Sequence, residues 1–210
     1  MPLSSDKLLE GIISFLDTQY GEIPWWPGST EEVMIGAVLT QQTRWRNVEV
    51  ALERMNECGL CSLAAIYRSA DSDIESAIRC TGFYRVKTKR LKSLASFVID
   101  NYCDVDNMQA VTTSILRKEL LCVNGIGAET ADSILCYALN RRSYVIDAYT
   151  ERICECGGIT DKKGVLKSLF ESVLPEDNQT YRLCHAWFVE YAKEYCGNRR
   201  CAECMIKNLK

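Results

Sequence analysis

The chain has 210 residues, 47% hydrophobic and 25% charged, with a formal net charge of −3 at pH 7. That is enough for one large or two small globular domains with a real core, and no apolar run approaches the roughly 20 residues needed to cross a bilayer. The mildly acidic balance weighs a little against a nucleic-acid partner. The opening stretch MPLSSDKLLEGIISF is an amphipathic helix containing acids, unlike a signal or transit peptide, so a cytoplasmic protein with no membrane partner is expected.

In chain order, helical periodicity covers 5–19, 31–41, 45–57, 62–68, 72–80 and 86–101, then 114–122, 128–140, 147–156, 162–174 and 178–195. Cap-like residues mark several starts: Ser29 and Thr30 before Glu31 and Glu32, and Asp71 or Ser72. Only SYVI (143–146) has strand character. The expected class is all-α with short connections, and two helical lobes sharing a cleft are compatible with it. Within the sixth helix, RVKTKRLK carries Arg85, Lys87, Lys89, Arg90 and Lys92 with no acid. Alone, that run reads as a solvated helix face. Of the 12 cysteines, Cys80, Cys103, Cys122, Cys136 and Cys184 sit singly in helical, apolar settings and are expected to be reduced, buried small hydrophobes.

The stretch LLCVNGIGAETADSILCYA (121–139) places a tight turn between two helices. Behind Asn124, Gly125 can turn the chain, since glycine tolerates positive φ. Gly127 leaves the first N–H groups of the next helix uncovered, at the positive end of its dipole, where they suit an anionic phosphate. Ala131, Ile134, Leu135, Ala138 and Leu139 follow core spacing and anchor that helix. Such a hairpin can grip a nucleic-acid backbone without reading its sequence. Taken by itself, it reads first as an ordinary helix end and loop.

Further along, YVIDAYTERI puts Asp147 at the opening of another helix. GIGAETADSIL followed by YVIDAYTERI resembles the helix-hairpin-helix DNA glycosylase superfamily, in particular its endonuclease III branch. GAVLTQQTRWRNVEVAL and TGFYRVKTKRLKSLA resemble the family's early helices, and LCHAWFVEYAKEYC its final helix. The likeness runs from about residue 25 to the C-terminus. It implies one all-α glycosylase domain with two lobes, the central one about 30–140 and the second about 1–29 plus 141–210, with a DNA-facing cleft between them. It also implies a monomer whose partner is double-stranded DNA containing a damaged base. Asn124, Gly125, Ile126, Gly127 and Thr130 of the hairpin, with Lys89 and Arg90 of the basic run, would hold phosphates. Asp147 matches the family's catalytic aspartate. Base loss passes through a cation-like sugar, which a fixed anion stabilises, in a nucleotide first flipped out of the stack.

Departures from the pattern define the subtype. Bifunctional members carry a Schiff-base lysine where this chain has Glu129, and a carboxylate cannot form an imine. AP-lyase activity should therefore be weak or absent. LTQQT resembles the adenine-removing branch, whose wedge glutamine matches Gln42, but the glutamate that branch uses for protonation is replaced by Ala37. PWWPG (24–28) and Trp45 resemble the pocket of the 3-methyladenine branch, so Trp25, Trp26 and Trp45 are the expected base pocket. Tryptophan faces suit a methylated, cationic purine. The leading expectation is a monofunctional N-glycosylase for alkylated purines in base excision repair. The alternatives are an endonuclease III-like enzyme for oxidised pyrimidines or mismatched bases, and a DNA-binding module without catalysis.

Many relatives bind a [4Fe–4S] cluster through four cysteines after the last helix. Here the tail CGNRRCAECMIKNLK supplies Cys196, Cys201 and Cys204, and Lys210 stands in the fourth place. Four thiolates normally hold such a cluster. Either Cys154, Cys156 or an outside ligand completes it, or the site is degenerate and no cofactor is bound, which is the expectation adopted. His185, the one histidine, is expected to have a core or capping role.

Overall fold

A computed structural model describes residues 4–23 and 28–209. The helices are α1 (Ser5–Tyr20), α2 (Thr30–Leu39), α3 (Trp45–Glu57), α4 (Leu63–Arg68), α5 (Asp71–Ile78), α6 (Tyr84–Tyr102), α7 (Thr113–Cys122), α8 (Ala128–Ser133), α9 (Ala148–Cys156), α10 (Lys163–Val173) and α11 (Asn178–Tyr191). No strand occurs among the described residues, and none of their helices is long and apolar enough to cross a membrane. SYVI is extended but has no partner strand.

The chain divides into two compact units, residues 26–141 and residues 1–25 with 142–210. In the 26–141 unit, α2 contributes Met34, Ile35, Val38 and Leu39, buried on several faces as befits a central helix. Val48, Ala51, Leu52 and Met55 of α3 and Leu91, Leu94, Ala95 and Val98 of α6 close around it. Ser29 and Glu32 form a capping box at the start of α2, and Glu32 also accepts from Asn56 Nδ2 at 2.8 Å. The start of α5 differs from expectation, since its N-cap is Ala70 and Asp71 lies inside the first turn.

Helix α2 ends at Leu39, two residues before its periodicity does, and Lys87 serves the carbonyl left there. This lysine of the basic run is 1% exposed. Its Nζ donates to Leu39 O at 2.8 Å and Thr81 O at 2.9 Å. It thereby satisfies a carbonyl that the helix end orphans and ties down the loops on either side. Burial, then Arg90, lowers its pKa to about 8.

The hairpin helices are clamped by a second buried polar contact. Arg117 of α7 donates through Nε and Nη2 to both oxygens of Asp132 on α8, at 2.7 and 2.9 Å. Asp132 is nearly enclosed, so this bidentate pair offsets the cost of burying its carboxylate. After α8 the chain widens into a π turn, Ile134–Ala138. Asn140 then adopts φ 53°, and Arg141 N donates back to Leu135 O at 2.7 Å, closing the helix.

In the other unit, Leu9, Ile12 and Leu16 form the buried stripe of α1, which packs against α10 and α11. The extended segment before α9 is gripped by α10. Lys167 Nζ donates to Ser143 Oγ at 3.0 Å and Tyr144 O at 2.8 Å, while Tyr144 N donates to Glu171 Oε1 at 3.0 Å. The Tyr144 ring stacks on Phe170 at 4.1 Å. The cysteines divide: Cys136 and Cys184 are buried as expected, Cys80 is half-buried, and Cys103 and Cys122 are exposed because they lie at the ends of α6 and α7.

Lys87→Met should destabilise the protein by about 2–3 kcal/mol in denaturant melts, since it strands two carbonyls that a charged donor now serves.

Candidate functional site

Asp147 is the N-cap of α9, and its Oδ1 accepts the Thr150 amide hydrogen at 2.7 Å. Oδ2 lies 3.6 Å from His185 Nε2, an ion-pair distance a little beyond a direct hydrogen bond. Burial opposes the ionised form of this carboxyl. The imidazole and the helix-start amide outweigh it, and the pKa is lowered to about 2. At neutral pH the site therefore holds an anion that is largely shielded from water. His185, expected to be a core or capping residue, is buried and also faces this carboxylate.

The hairpin lies in the 26–141 unit. Gly125 has φ +85°, a region that favours glycine. A Cβ there would fall 2.2 Å from Arg90 Cγ. The Arg90 guanidinium donates to Gln41 Oε1. Gln41 Nε2 in turn donates to Gly125 O at 3.1 Å and Thr130 Oγ1 at 2.9 Å. Arg90 and Thr130, expected as phosphate contacts, thus have their side chains engaged in bracing the turn. Ile126 is also directed inward: its side chain is buried and its N–H donates to Val123 O at 3.1 Å. Asn124, Gly127 and Lys89 are exposed. A Cβ on Gly127 would meet nothing within 4 Å, and the first bond back into α8 comes only at Ala131 N. Glu129 is exposed in the first turn of α8.

Two loops of the same unit carry non-glycine residues in the left-handed region: Gln42 at φ 54° and Phe83 at φ 47°. These are the loops pinned by Lys87. Phe83 is 66% exposed, unusual for a phenylalanine. Its Gly-Phe-Tyr setting in the sequence was the signal that could have marked it. Trp45 begins α3, half-buried against the core, with Nε1 donating to Glu49 Oε1 at 2.9 Å. Trp25 and Trp26 lie outside the described residues.

In the tail, Cys196 is raised in pKa by burial and is within electrostatic reach of Cys156, Cys204 and Cys201. Tyr191 Oη lies 3.4 Å from the buried Cys204 Sγ and accepts from Met205 N at 3.0 Å. Cys201 is exposed, and Lys210 lies outside the described residues. Among the described residues, no group of three or more His, Cys, Asp or Glu side chains converges as metal ligands do. Cys156, raised in pKa by burial and then by Cys204 and Cys201, neighbours the tail. Cys154 faces Cys184, Asp161 and Glu151 instead. Cys156 is thus the cysteine that lies beside the three of the tail, and Cys154 is not, the four thiols being close without converging on one point.

The chain as a whole is similar to known proteins. Residues 35–190 match the family described as HhH-GPD superfamily base excision DNA repair protein. A protein of Methanocaldococcus jannaschii, whose name assigns it provisionally to the DNA repair glycosylases, is 40% identical over 97% of this chain and 96% of its own. Endonuclease III of Thermotoga maritima is 26% identical over 84% of this chain and 80% of its own. Among solved structures, the H. pylori 3-methyladenine DNA glycosylase bound to 1,N6-ethenoadenine superposes with a TM-score of 0.78 and 29% identity, covering 91% of this chain and 98% of its own. The chain belongs to the HhH-GPD superfamily and is a DNA glycosylase of that family.

Two outcomes are expected. An unfolded chain protonates the Asp147 carboxyl near about pH 4, whereas the folded chain holds it ionised down to about pH 2. The stability it contributes is full above about pH 4 and drains as pH falls toward 2. Asp147→Asn should therefore lose less stability than wild type between those values in denaturant melts. The hairpin glycines should separate in the same assay. Gly125→Ala, strained and in collision with Arg90, should cost about 1–2 kcal/mol. Gly127→Ala should stay within about 0.5 kcal/mol of wild type yet weaken binding to duplex DNA of any sequence.

Proposed function

We propose that this protein is a monofunctional DNA N-glycosylase that releases an alkylated purine, such as 3-methyladenine, from duplex DNA. The observation that carries the reading is Asp147, a shielded carboxylate held ionised at a helix start. When the glycosidic bond breaks, positive charge develops on the sugar, and a preorganised anion lowers that barrier without reorganising. An alkylated purine is already a cationic leaving group, so the carboxylate needs no strong general acid beside it. Glu129, at the hairpin position where lyase members carry an amine, supports a reaction that stops at base release. The H. pylori 3-methyladenine glycosylase is similar along nearly its whole length, which favours the alkylpurine class.

Phosphate binding is assigned to the backbone of the hairpin around Gly127 and Ala128, with Asn124 beside it and Lys89 as an exposed cation. Gln42 and Phe83 stand on strained backbone in loops fixed by Lys87. Strain retained at exposed polar and aromatic side chains supports a DNA-facing role, with Gln42 as the wedge. Trp45 offers a partly open ring for stacking on the base. The similarity to endonuclease III of Thermotoga maritima favours a second reading, excision of oxidised or mismatched bases by the same carboxylate.

The test is single-turnover base release from duplexes carrying 3-methyladenine, an oxidised pyrimidine or a mismatch. Release from the alkylated duplex is expected, with strand scission only after heat or alkali and no borohydride-trapped adduct. Asp147→Asn should abolish release while retaining DNA binding. Preferential release of the oxidised pyrimidine would establish the second reading, and a trapped adduct in high yield would end the monofunctional one.

A further inference from the structure

We infer that His185 is a positioning residue for Asp147, holding the carboxylate oxygen that the helix-start amide leaves. The inference rests on Asp147 being the essential anion. A carboxylate anchored by one oxygen can rotate about its Cβ–Cγ bond, whereas one anchored by both has a defined plane. Here Oδ1 is taken by the Thr150 amide at 2.7 Å and Oδ2 faces His185 Nε2 at 3.6 Å. The two side chains are only 7% and 14% exposed, so solvent screens their attraction weakly.

The imidazole is itself supported. It stands edge-on to the Tyr144 ring, with centroids 6.3 Å apart. Tyr144 is stacked on Phe170 and clipped at its backbone by Lys167 and Glu171. Helix α11, which carries His185, packs against α9, which Asp147 caps. Surrounding ionisable groups leave the pairing undisturbed. Burial pushes the thiols of Cys154 on α9 and Cys184 on α11 up to about 12, so both stay neutral. Glu151 is paired with Lys163 at 2.8 Å, and Asp161 accepts from Ser5 Oγ at 3.3 Å. A histidine serving only as core filler would have no reason to direct a ring nitrogen at the carboxylate.

Two variants separate positioning from packing. His185→Phe keeps the volume and removes the polar contact; His185→Gln keeps a donor but replaces the imidazole with an amide. The readouts are 13C NMR titration of aspartate carboxyls in the free protein, with Asp147→Asn assigning the signal, and the pH profile of single-turnover release. Wild-type Asp147 should titrate with a midpoint at about pH 2. In His185→Phe its midpoint should rise by about one pH unit or more, carrying the acid limb of the rate profile with it. Release at pH 7 should fall at least about tenfold while duplex affinity stays within about twofold. His185→Gln should recover part of the rate but not the midpoint. A folded His185→Phe protein with unchanged midpoint and rate would overturn the inference. If that variant does not fold, His185→Gln decides: a raised midpoint supports the pairing and an unchanged one overturns it. Full release by Asp147→Asn would instead remove the reading of Asp147, while the NMR midpoint, which needs no activity, would still report the pairing.

Discussion

A carboxylate taken out of water costs several kcal/mol unless charge and hydrogen bonds compensate it, and the unit built from 1–25 and 142–210 supplies that compensation to Asp147. The first amides of α9 contribute a hydrogen bond and the helix dipole, and α11 contributes an imidazole. The segment between α8 and α9 leads into Asp147 and sets the Tyr144 ring edge-on to His185. Lys167 and Glu171 fix that segment by its backbone, and Phe170 fixes it through the Tyr144 ring. The helical packing of this unit therefore ends in one electrostatic result, an anion preorganised where water does not neutralise it.

The 26–141 unit follows a different physical logic, in which buried polar side chains hold exposed loops in unfavourable backbone conformations. Lys87 secures the loops that carry Gln42 and Phe83, both at positive φ. Arg90 and Gln41 brace the hairpin from inside, so its tight turn does not rely on a bound phosphate to keep its shape. Arg117 and Asp132 clamp the helices on either side. Strain at a few residues is sustained because several partners over-determine each position. A surface prepared in this way loses little entropy when a rigid polyanion binds it.

Membership of a glycosylase family leaves the chemistry open, since one scaffold can host several reactions. In this chain one position bears on it directly. Glu129 places a carboxylate in the first turn of α8, and a carboxylate cannot form an imine. The cysteine tail lies beside Cys156, and Tyr191 engages Cys204. Its packing now rests on an aromatic group in which Phe15 and Tyr20 meet Tyr191 edge-on and Tyr195 stacks on it.

Much of the fold was legible in the sequence because helix periodicity, capping boxes and glycine turns are local signals. The α2 capping box, the start of α9 at Asp147 and the turn at Gly125 need only neighbours within a few residues. The tertiary structure decided which side chains those helices bring together. Nothing local distinguishes Lys87 from Lys89, yet one is buried on two carbonyls and the other faces solvent. Arg90 and Thr130 read as phosphate ligands until packing places Gln41 between them. His185 lies far along the chain from Asp147, and only the crossing of α11 over α9 makes it the partner of that carboxylate. Periodicity specifies which face of a helix is apolar, whereas the polar atoms that meet across two faces depend on how the helices pack.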